Sequence, residues 1–310
     1  AILDGDLGQS DIGPPCTLAY AVVSKPVTDL FNLTADDVFF VGVTSPSKAV
    51  EKVLQGMAFL RDAVFKRGSE FVIVNTDGWV EGEDAMRYKA RLIEEIKPNV
   101  IFCIQRQNEL APLLNLVNND APVIRVESPP TIKQRSREKR KTLRELGYIK
   151  YLRNPKVQSI PINWLEIEDR EIAHLFSGNF NNSKQLEKIS RVLGVKPIHF
   201  AETAEEISIV IGKGKWVDAE KIKELEDILG KKIDVRVKGQ EEGLIVALYN
   251  GADEFLGIGV ISEIDYRKKI IKILTPVSEQ FSKVIVGKVK LDKNFKEVPA
   301  SMEKVCQVES

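Results

Sequence analysis

Residues 71–79 read Phe71-Val72-Ile73-Val74-Asn75-Thr76-Asp77-Gly78-Trp79, four apolar residues in a row followed by a polar turn. A continuous apolar run of this length predicts a strand buried on both faces, as in a parallel sheet covered by helices. The flanks repeat the theme. Upstream, from Ser47 to about Lys66, residues Val50, Val53, Leu54, Met57, Leu60 and Val64 fall at helical spacing. Downstream, residues 83–97 form a second helical pattern that Pro98 stops. Further strands are expected at 1–3, 18–23 and 38–43, and around Ile101 and Val123. Strands alternating with helices predict an α/β fold built on a doubly wound, mainly parallel sheet.

A charged helical stretch runs from Thr131 to about Tyr151, and Pro155 and Pro161 then break the chain. A domain boundary is expected there, dividing residues 1–155 from a smaller, β-rich α+β domain at 156–310. In the second part, helices at 184–193 and 219–229 (the latter ended by Gly230) precede strand-like runs at 243–249, 255–261, 269–274 and 283–291. Gly and turn residues separate these runs, as in a small antiparallel sheet or barrel.

Composition narrows the function classes. With 45 basic and 45 acidic residues the 310-residue chain is neutral, so any nucleic-acid contact must come from local clustering of Lys and Arg. Abundant Glu, Lys, Ile and Val beside 2 His, 3 Met and 3 Cys lean toward a thermophile. Cys16, Cys103 and Cys306 have neither metal-type spacing nor a disulfide framework, which points to a reducing, intracellular compartment. Cys103, inside an apolar run, reads as an inert core residue. There is no signal-peptide pattern and no apolar run long enough to cross a bilayer, so a cytoplasmic location without a membrane partner is expected. His174 and His199 lie far apart and lack ligand-spaced partners, so no metal site is expected at either. Gly212-Lys213-Gly214-Lys215 lacks the spacing and hydroxyl of a phosphate loop and reads as a turn. Trp164 and Trp216 read as core or interdomain packing.

Three stretches carry chemistry. Asp4-Gly5-Asp6-Leu7-Gly8-Gln9-Ser10 falls at the C-terminal end of the first strand, where open α/β sheets bind ligands. Two carboxylates there suit a Mg²⁺ contact or a base for a hydroxyl proton, although Asp and Gly also build ordinary strand-ending turns. Asn75 to Trp79 is either a turn with a packed indole or a second edge of the site. In the second case Trp79 offers a stacking platform typically worth about 1–3 kcal/mol per base. Arg137, Arg140 and Arg144 share one helical face. That face is either solvated, with Glu138 and Glu145 as partners, or a lid whose guanidinium groups neutralise a transferring phosphoryl group.

The order of these blocks resembles the RNA 5′-hydroxyl kinases, the family that includes the kinase of the pre-mRNA cleavage and tRNA-splicing machinery and its nucleolar relatives. Leu3-Asp4-Gly5-Asp6-Leu7-Gly8-Gln9 followed by Gly13-Pro14-Pro15 is similar to the family's Asp-Leu-Asp-x-Gly-Gln…Pro-Pro-Gly segment. Val41-Gly42-Val43-Thr44-Ser45-Pro46 resembles its Phe-Gly-x-Thr-Thr/Ser-Pro clasp, and Asn75-Thr76-Asp77-Gly78-Trp79-Val80 its Asn-Thr-x-Gly-Trp-Val block. Arg135-Ser136 with Arg140 and Arg144 resembles its arginine lid. The four blocks span residues 1 to about 150, and beyond them the resemblance is one of texture only.

The resemblance implies a P-loop-type fold and phosphorylation of the 5′-hydroxyl end of RNA, or of DNA. The donor would be ATP or GTP with Mg²⁺, and the source a prokaryote, most simply an archaeon. Asp6 would orient Mg²⁺ through water and help deprotonate the attacking hydroxyl, with Asp4 in support. Gln9 would touch the substrate end, Thr44 and Ser45 would clasp its first phosphodiester, and Trp79 would stack on its first base. Arg140 and Arg144 would close over the γ-phosphate, with Arg135 and Arg137 beside the nucleotide.

One departure stands out: the chain contains no Gly-x-x-x-x-Gly-Lys-Ser/Thr. The resemblance puts that loop ahead of Ala1, so the chain reads as N-terminally truncated and inactive alone. The competing readings are a non-catalytic nucleic-acid-binding scaffold and another P-loop class, a GTPase or a metal-cluster-assembly ATPase. Retention of both Asp4 and Asp6 argues against the scaffold. Asn75, where the other classes use Asp, and the arginine lid argue against them.

Overall fold

The computed structural model describes residues 1–116, 121–129, 135–176 and 183–299. Residues 131–134 of the expected arginine helix and Cys306 lie outside the described residues. The chain divides into two compact units, residues 1–150 and 151–310.

The first unit runs β1 (Ile2–Gly5), β2 (Thr17–Ala21), β3 (Asp37–Phe40), α1 (Val50–Lys66), β4 (Ile73–Thr76), α2 (Glu83–Ile96), β5 (Ile101–Gln105), α3 (Ala111–Leu116), β6 (Val123–Glu127) and α4 (Arg137–Tyr151). Strand order in the main sheet is β3-β2-β1-β4. β1 and β4 are parallel, with Leu3 opposite Val74 and Asp4 opposite Asn75. A short loop joins β1 to β2 without a crossover helix, so β2 runs antiparallel to β1, and β3 antiparallel to β2. β5 and β6 form a parallel pair.

Helix α1 presents Val53, Met57, Leu60 and Val64 to Leu3, Leu18 and Tyr20 of the sheet, and α2 adds Tyr88 and Leu92 to the same core. Helix α2 ends where Lys97 takes a left-handed conformation (φ 52°) and its N–H bonds the Ile93 carbonyl, one residue before Pro98.

Two-sided burial of the 71–74 run is corrected. Val72 and Val74 pack on the core, but Phe71 is 81% and Ile73 67% exposed. Phe102 and Ile104 of β5 are each 63% exposed as well. The cause is coverage: α1 and α2 take one face of β4, and among the described residues β4 pairs along the β1 edge alone. Cys103 is buried, and burial raises its thiol above the usual range, as suits an inert core residue.

The second unit contains β7 (Lys156–Pro161), β8 (Glu166–Glu168), α5 (Arg170–Phe176), α6 (Ser183–Leu193), β9 (His199–Glu202), β10 (Glu206–Ile211), α7 (Ala219–Leu229), β11 (Lys232–Val237), β12 (Leu244–Tyr249), β13 (Phe255–Asp265), β14 (Ile270–Thr275), β15 (Lys283–Leu291) and β16 (Glu297–Val298). The expected antiparallel sheet is present, in the order β16-β15-β12-β13-β14-β7, with β8 added parallel to β15. Sequence reading missed a second sheet, β11-β10-β9, whose parallel β10–β11 pair is joined through α7. Gly230 closes α7 at φ 65°, and Gly212 to Lys215 is a turn in which the Lys215 N–H bonds the Gly212 carbonyl at 3.0 Å.

The core reading of Trp164 and Trp216 is corrected too, at 67% and 56% exposed. Each lies in a short connection where its neighbour, Ile162 or Val217, takes the inward position.

Candidate functional site

The loop leaving β1 is organised by Asp4. Its buried carboxylate accepts the Asp6 amide (3.2 Å) and the Asn75 side-chain amide (3.1 Å) on Oδ1, and the Asp11 (2.7 Å) and Ile12 (3.4 Å) amides on Oδ2. Four donors fill it, closing the 6–12 loop and fastening it to the end of β4.

Asp6 differs. Its Oδ1 accepts the Gly8 (2.9 Å) and Gln9 (3.1 Å) amides, while Oδ2 has no protein donor among the described residues. Burial pushes its carboxyl up to about 6, helped by the charges of Asp4 and Asp77 and opposed by the Gly8 and Gln9 amides. A half-buried carboxylate held above its usual range, with one oxygen spare, suits a cation or a proton. Among the described residues no three His, Cys, Asp or Glu side chains converge as a metal cage. A single Asp contact is the form Mg²⁺ takes when waters and phosphates supply the other ligands.

The Thr44 loop abuts this turn, since a Cβ added to Gly8 would lie 3.3 Å from both Asp6 Oδ1 and the Thr44 carbonyl oxygen. Thr44 and Ser45 are half-buried, and Ser45 and Ser47 share a hydroxyl contact at 2.9 Å. Cys16 occupies the position of the Gly in the Pro-Pro-Gly pattern and still adopts φ 71°, with its carbonyl accepting the Val41 and Gly42 amides at 3.0 Å each.

The base of α4 docks on the same segment. Gly147 approaches Pro15 so closely that a Cβ would sit 2.7 Å from the ring, and the Tyr148 hydroxyl lies 3.3 Å from Cys16 Sγ. At the other end of the helix, Arg135 Nη1 donates to Gln9 Oε1 at 3.0 Å, and Gln9 Nε2 donates to the Arg140 carbonyl at 3.1 Å. The fold thus brings Asp6, Gly8, Gln9, Thr44, Arg135 and Arg140 together. The Arg137 and Arg140 side chains are exposed, and Arg144 is half-buried.

Trp79 is half-buried with its indole stacked on Tyr88, centroids 5.6 Å apart at 24°. Two residues of this cluster were missed. The buried Lys89 ammonium donates to the Asp77 carbonyl (2.6 Å) and to Asp77 Oδ2 (3.0 Å), and the Tyr88 hydroxyl donates to Oδ2 at 2.8 Å. Asp77 Oδ1 accepts the Trp79 amide at 2.9 Å. The signal was available: Ala85, Tyr88, Lys89 and Leu92 form the inward face of α2, and a lysine on an apolar stripe needs a partner.

The two histidines sit in the second unit, His174 Nδ1 3.7 Å from Glu206 and His199 Nε2 2.5 Å from the Leu175 carbonyl.

Residues 1–154 match the family model described as mRNA cleavage and polyadenylation factor CLP1 P-loop. Among curated proteins, the chain is 27% identical over 307 residues to a polyribonucleotide 5′-hydroxyl-kinase of Methanocaldococcus jannaschii, covering 96% of this chain and 80% of that protein. A protein of the same name from Pyrococcus abyssi is 27% identical over 301 residues, covering 96% and 81%. Among solved structures, Clp1p in its interface with Pcf11p superposes with a TM-score of 0.55 at 10% identity, over 93% of this chain and 67% of that one. The wild-type Clp1p–Pcf11p complex gives 0.53 at 12%, over 93% and 66%.

The fold is thus a P-loop-type α/β unit followed by a β-rich one. The chain belongs to the polynucleotide 5′-hydroxyl kinase family.

Proposed function

We propose that this chain forms the RNA-end and lid side of an ATP-dependent polynucleotide 5′-hydroxyl kinase. The carrying observation is the contrast at the end of β1, where Asp4 is consumed by loop amides and Asp6 keeps a spare carboxylate oxygen. In the reaction, the 5′-hydroxyl oxygen attacks the γ-phosphorus in line, the bond to the β–γ bridging oxygen breaks, and the nucleoside diphosphate leaves. Asp6 takes the hydroxyl proton or relays it through water, and Asp4 fixes the loop that aims it. Mg²⁺, when bound near Asp6 and the phosphates, neutralises the charge developing on the transferred group. Thr44 and Ser45 hold the first phosphodiester, Trp79 stacks on the first base, and Arg140 and Arg144 cover the γ-phosphate with Arg135 and Arg137 beside them.

The support is the shared kinase name of the archaeal relatives and the proximity of Asp6, Gln9, Thr44, Arg135 and Arg140 around the β1 loop. RNA is the favoured substrate, with DNA ends as the alternative and ATP ahead of GTP as donor. We take the setting to be archaeal and cytoplasmic; the archaeal sources of these relatives support the first.

Because the 310 residues contain no Gly-x-x-x-x-Gly-Lys-Ser/Thr, we expect them alone to transfer no phosphate. A second reading, favoured only if the protein at its full natural length also lacks that loop, is a nucleic-acid-binding scaffold without catalysis. End-labelling of a 5′-hydroxyl RNA oligonucleotide with γ-labelled ATP and Mg²⁺ separates the two. The protein at its full natural length should label the 5′-hydroxyl RNA and leave a 5′-phosphorylated one unlabelled, and the 310 residues alone should label neither. Binding of RNA without label transfer at full length would establish the scaffold.

A further inference from the structure

Beyond Asn75, whose side chain Asp4 holds, the loop that carries Trp79 has little to hold it from outside. Asn75, Thr76 and Gly78 are exposed, and a Cβ added to Gly78 would meet nothing within 4 Å. Its position is set from beneath, through Asp77. One carboxylate oxygen of Asp77 caps the Trp79 amide, and the other takes the Lys89 ammonium and the Tyr88 hydroxyl. Lys89 also holds the Asp77 carbonyl, and the Tyr88 ring lies against the indole. Trp79 is therefore held at two points: its backbone amide by Asp77, which Tyr88 and Lys89 of α2 hold in turn, and one ring face by Tyr88 itself.

A lysine buried on the inner face of a helix is costly, and an apolar residue there would pack without that cost. The partner of that charge is Asp77, whose carboxylate is itself buried and which lies directly beneath the loop that carries Trp79.

We infer that Lys89 is a positioning residue for RNA-end recognition, acting through Asp77 and Tyr88 to hold the Trp79 indole in the pose that receives the first base. This rests on the proposed stacking role of Trp79. Lys89 touches neither substrate nor reacting atoms; it fixes the platform. Loss of the ammonium frees Asp77, the Trp79 amide loses its cap, and the ring drifts from the base.

The test compares binding of two short single-stranded RNAs with 5′-hydroxyl ends, one with an ordinary first nucleoside and one abasic at that position, measured by fluorescence anisotropy on the full-length protein. Wild type should prefer the intact base by about tenfold, the scale of one stacked base. In Lys89→Met that preference should fall to near one, with affinity for the abasic RNA unchanged within about twofold. Tyr88→Phe keeps the ring and should lose part of the preference. Should Lys89→Met alone not fold, Asp77→Asn/Lys89→Met removes both charges together and is read in the same way. A merely structural role would weaken both RNAs equally and leave the ratio intact. Folded Lys89 and Tyr88 variants that still discriminate as wild type does would overturn the inference alone. A wild type indifferent to the base would overturn the stacking role of Trp79, and this inference with it.

Discussion

Gln9 Oε1 accepts a hydrogen bond from Arg135 Nη1 at 3.0 Å, and the same side chain donates to the Arg140 carbonyl, so a residue in the β1 loop holds the start of α4. The sequence resemblance implied that Gln9 touches the substrate end; in the structure its amide spans the loop and the lid. Gln9→Ala and Arg135→Ala should each lower kcat/KM for the RNA end by about tenfold, and the double variant should fall little further, because both break one link. Additive losses in end-labelling kinetics would show that the two act separately.

The proposed function puts Arg140 and Arg144 over the γ-phosphate. Arg140→Ala or Arg144→Ala should lower kcat by about 10²–10³-fold, the scale of losing one preorganised charge in phosphoryl or acyl transfer. RNA affinity should change much less. A loss confined to RNA binding would return α4 to the role of a nucleic-acid contact.

Asp4→Ala should destabilise the first unit. The buried Ile12 amide and the amides of Asp6 and Asp11 lose their acceptor, at about 1–3 kcal/mol for each group left unpaired in the interior and less for those that reach water. Denaturant unfolding followed by near-ultraviolet circular dichroism reads the change. A variant as stable as wild type would mean that the loop closes without this carboxylate.

The second unit carries a pH-dependent weakness at Glu241. This buried carboxylate accepts the Tyr266 hydroxyl at 2.9 Å on Oε2, yet among the described residues its Oε1 has no hydrogen-bond partner, with Arg236 Nη1 3.9 Å away. Burial raises its folded-state pKa, with its own backbone amide, Tyr266, Arg236 and Lys290 pulling the other way. For a raised carboxylate, the stabilising contribution is complete below the unfolded value, about 4.5, and is lost as pH climbs through the folded value. The stability difference between Glu241→Gln and wild type should therefore grow in favour of the variant as pH rises from 4 to 8. Thermal melts across that range give the slope, and a flat difference would show that Glu241 titrates normally.

Much of this was legible beforehand, because apolar runs and helical stripes report burial directly. The helix expected from Ser47 to about Lys66 forms over Val50–Lys66, and the stop at Pro98 and the strand at 283–291 were legible as well. The Asp4/Asp6 pair stood out as carboxylates at a strand end and the arginine helix by its spacing, while Thr44 came from the family resemblance alone. What escaped is what depends on distant partners. Phe71 and Ile73 look like core by composition, but exposure depends on which elements cover β4, and the run itself carries no record of that. The direction of β2 depends on the length of a loop rather than on the residues within the strand. Lys89 hid inside an otherwise amphipathic helix, since only the arrival of Asp77 explains a lysine on its inner face. Only the family resemblance ranked Asp6 above Asp4; the residues themselves carry no trace of the hydrogen-bond partners that set the two carboxylates apart.

The most direct test of the account is Asp6→Asn, followed in two assays at once. Ionised Asp6 is held at a pKa of about 6 against 3.8, so folding stability is complete below 3.8 and is lost as pH rises through about 6. At pH 7.5 the charge costs about 2–3 kcal/mol, which the neutral amide relieves while still accepting the Gly8 and Gln9 amides. The variant should melt higher than wild type at pH 7.5, match it near pH 3.5, and transfer γ-phosphate to 5′-hydroxyl RNA at a thousandth of the wild-type rate or less, about 4 kcal/mol in barrier. A variant that retains transfer within tenfold of wild type would contradict the central claim that Asp6 serves the reacting hydroxyl.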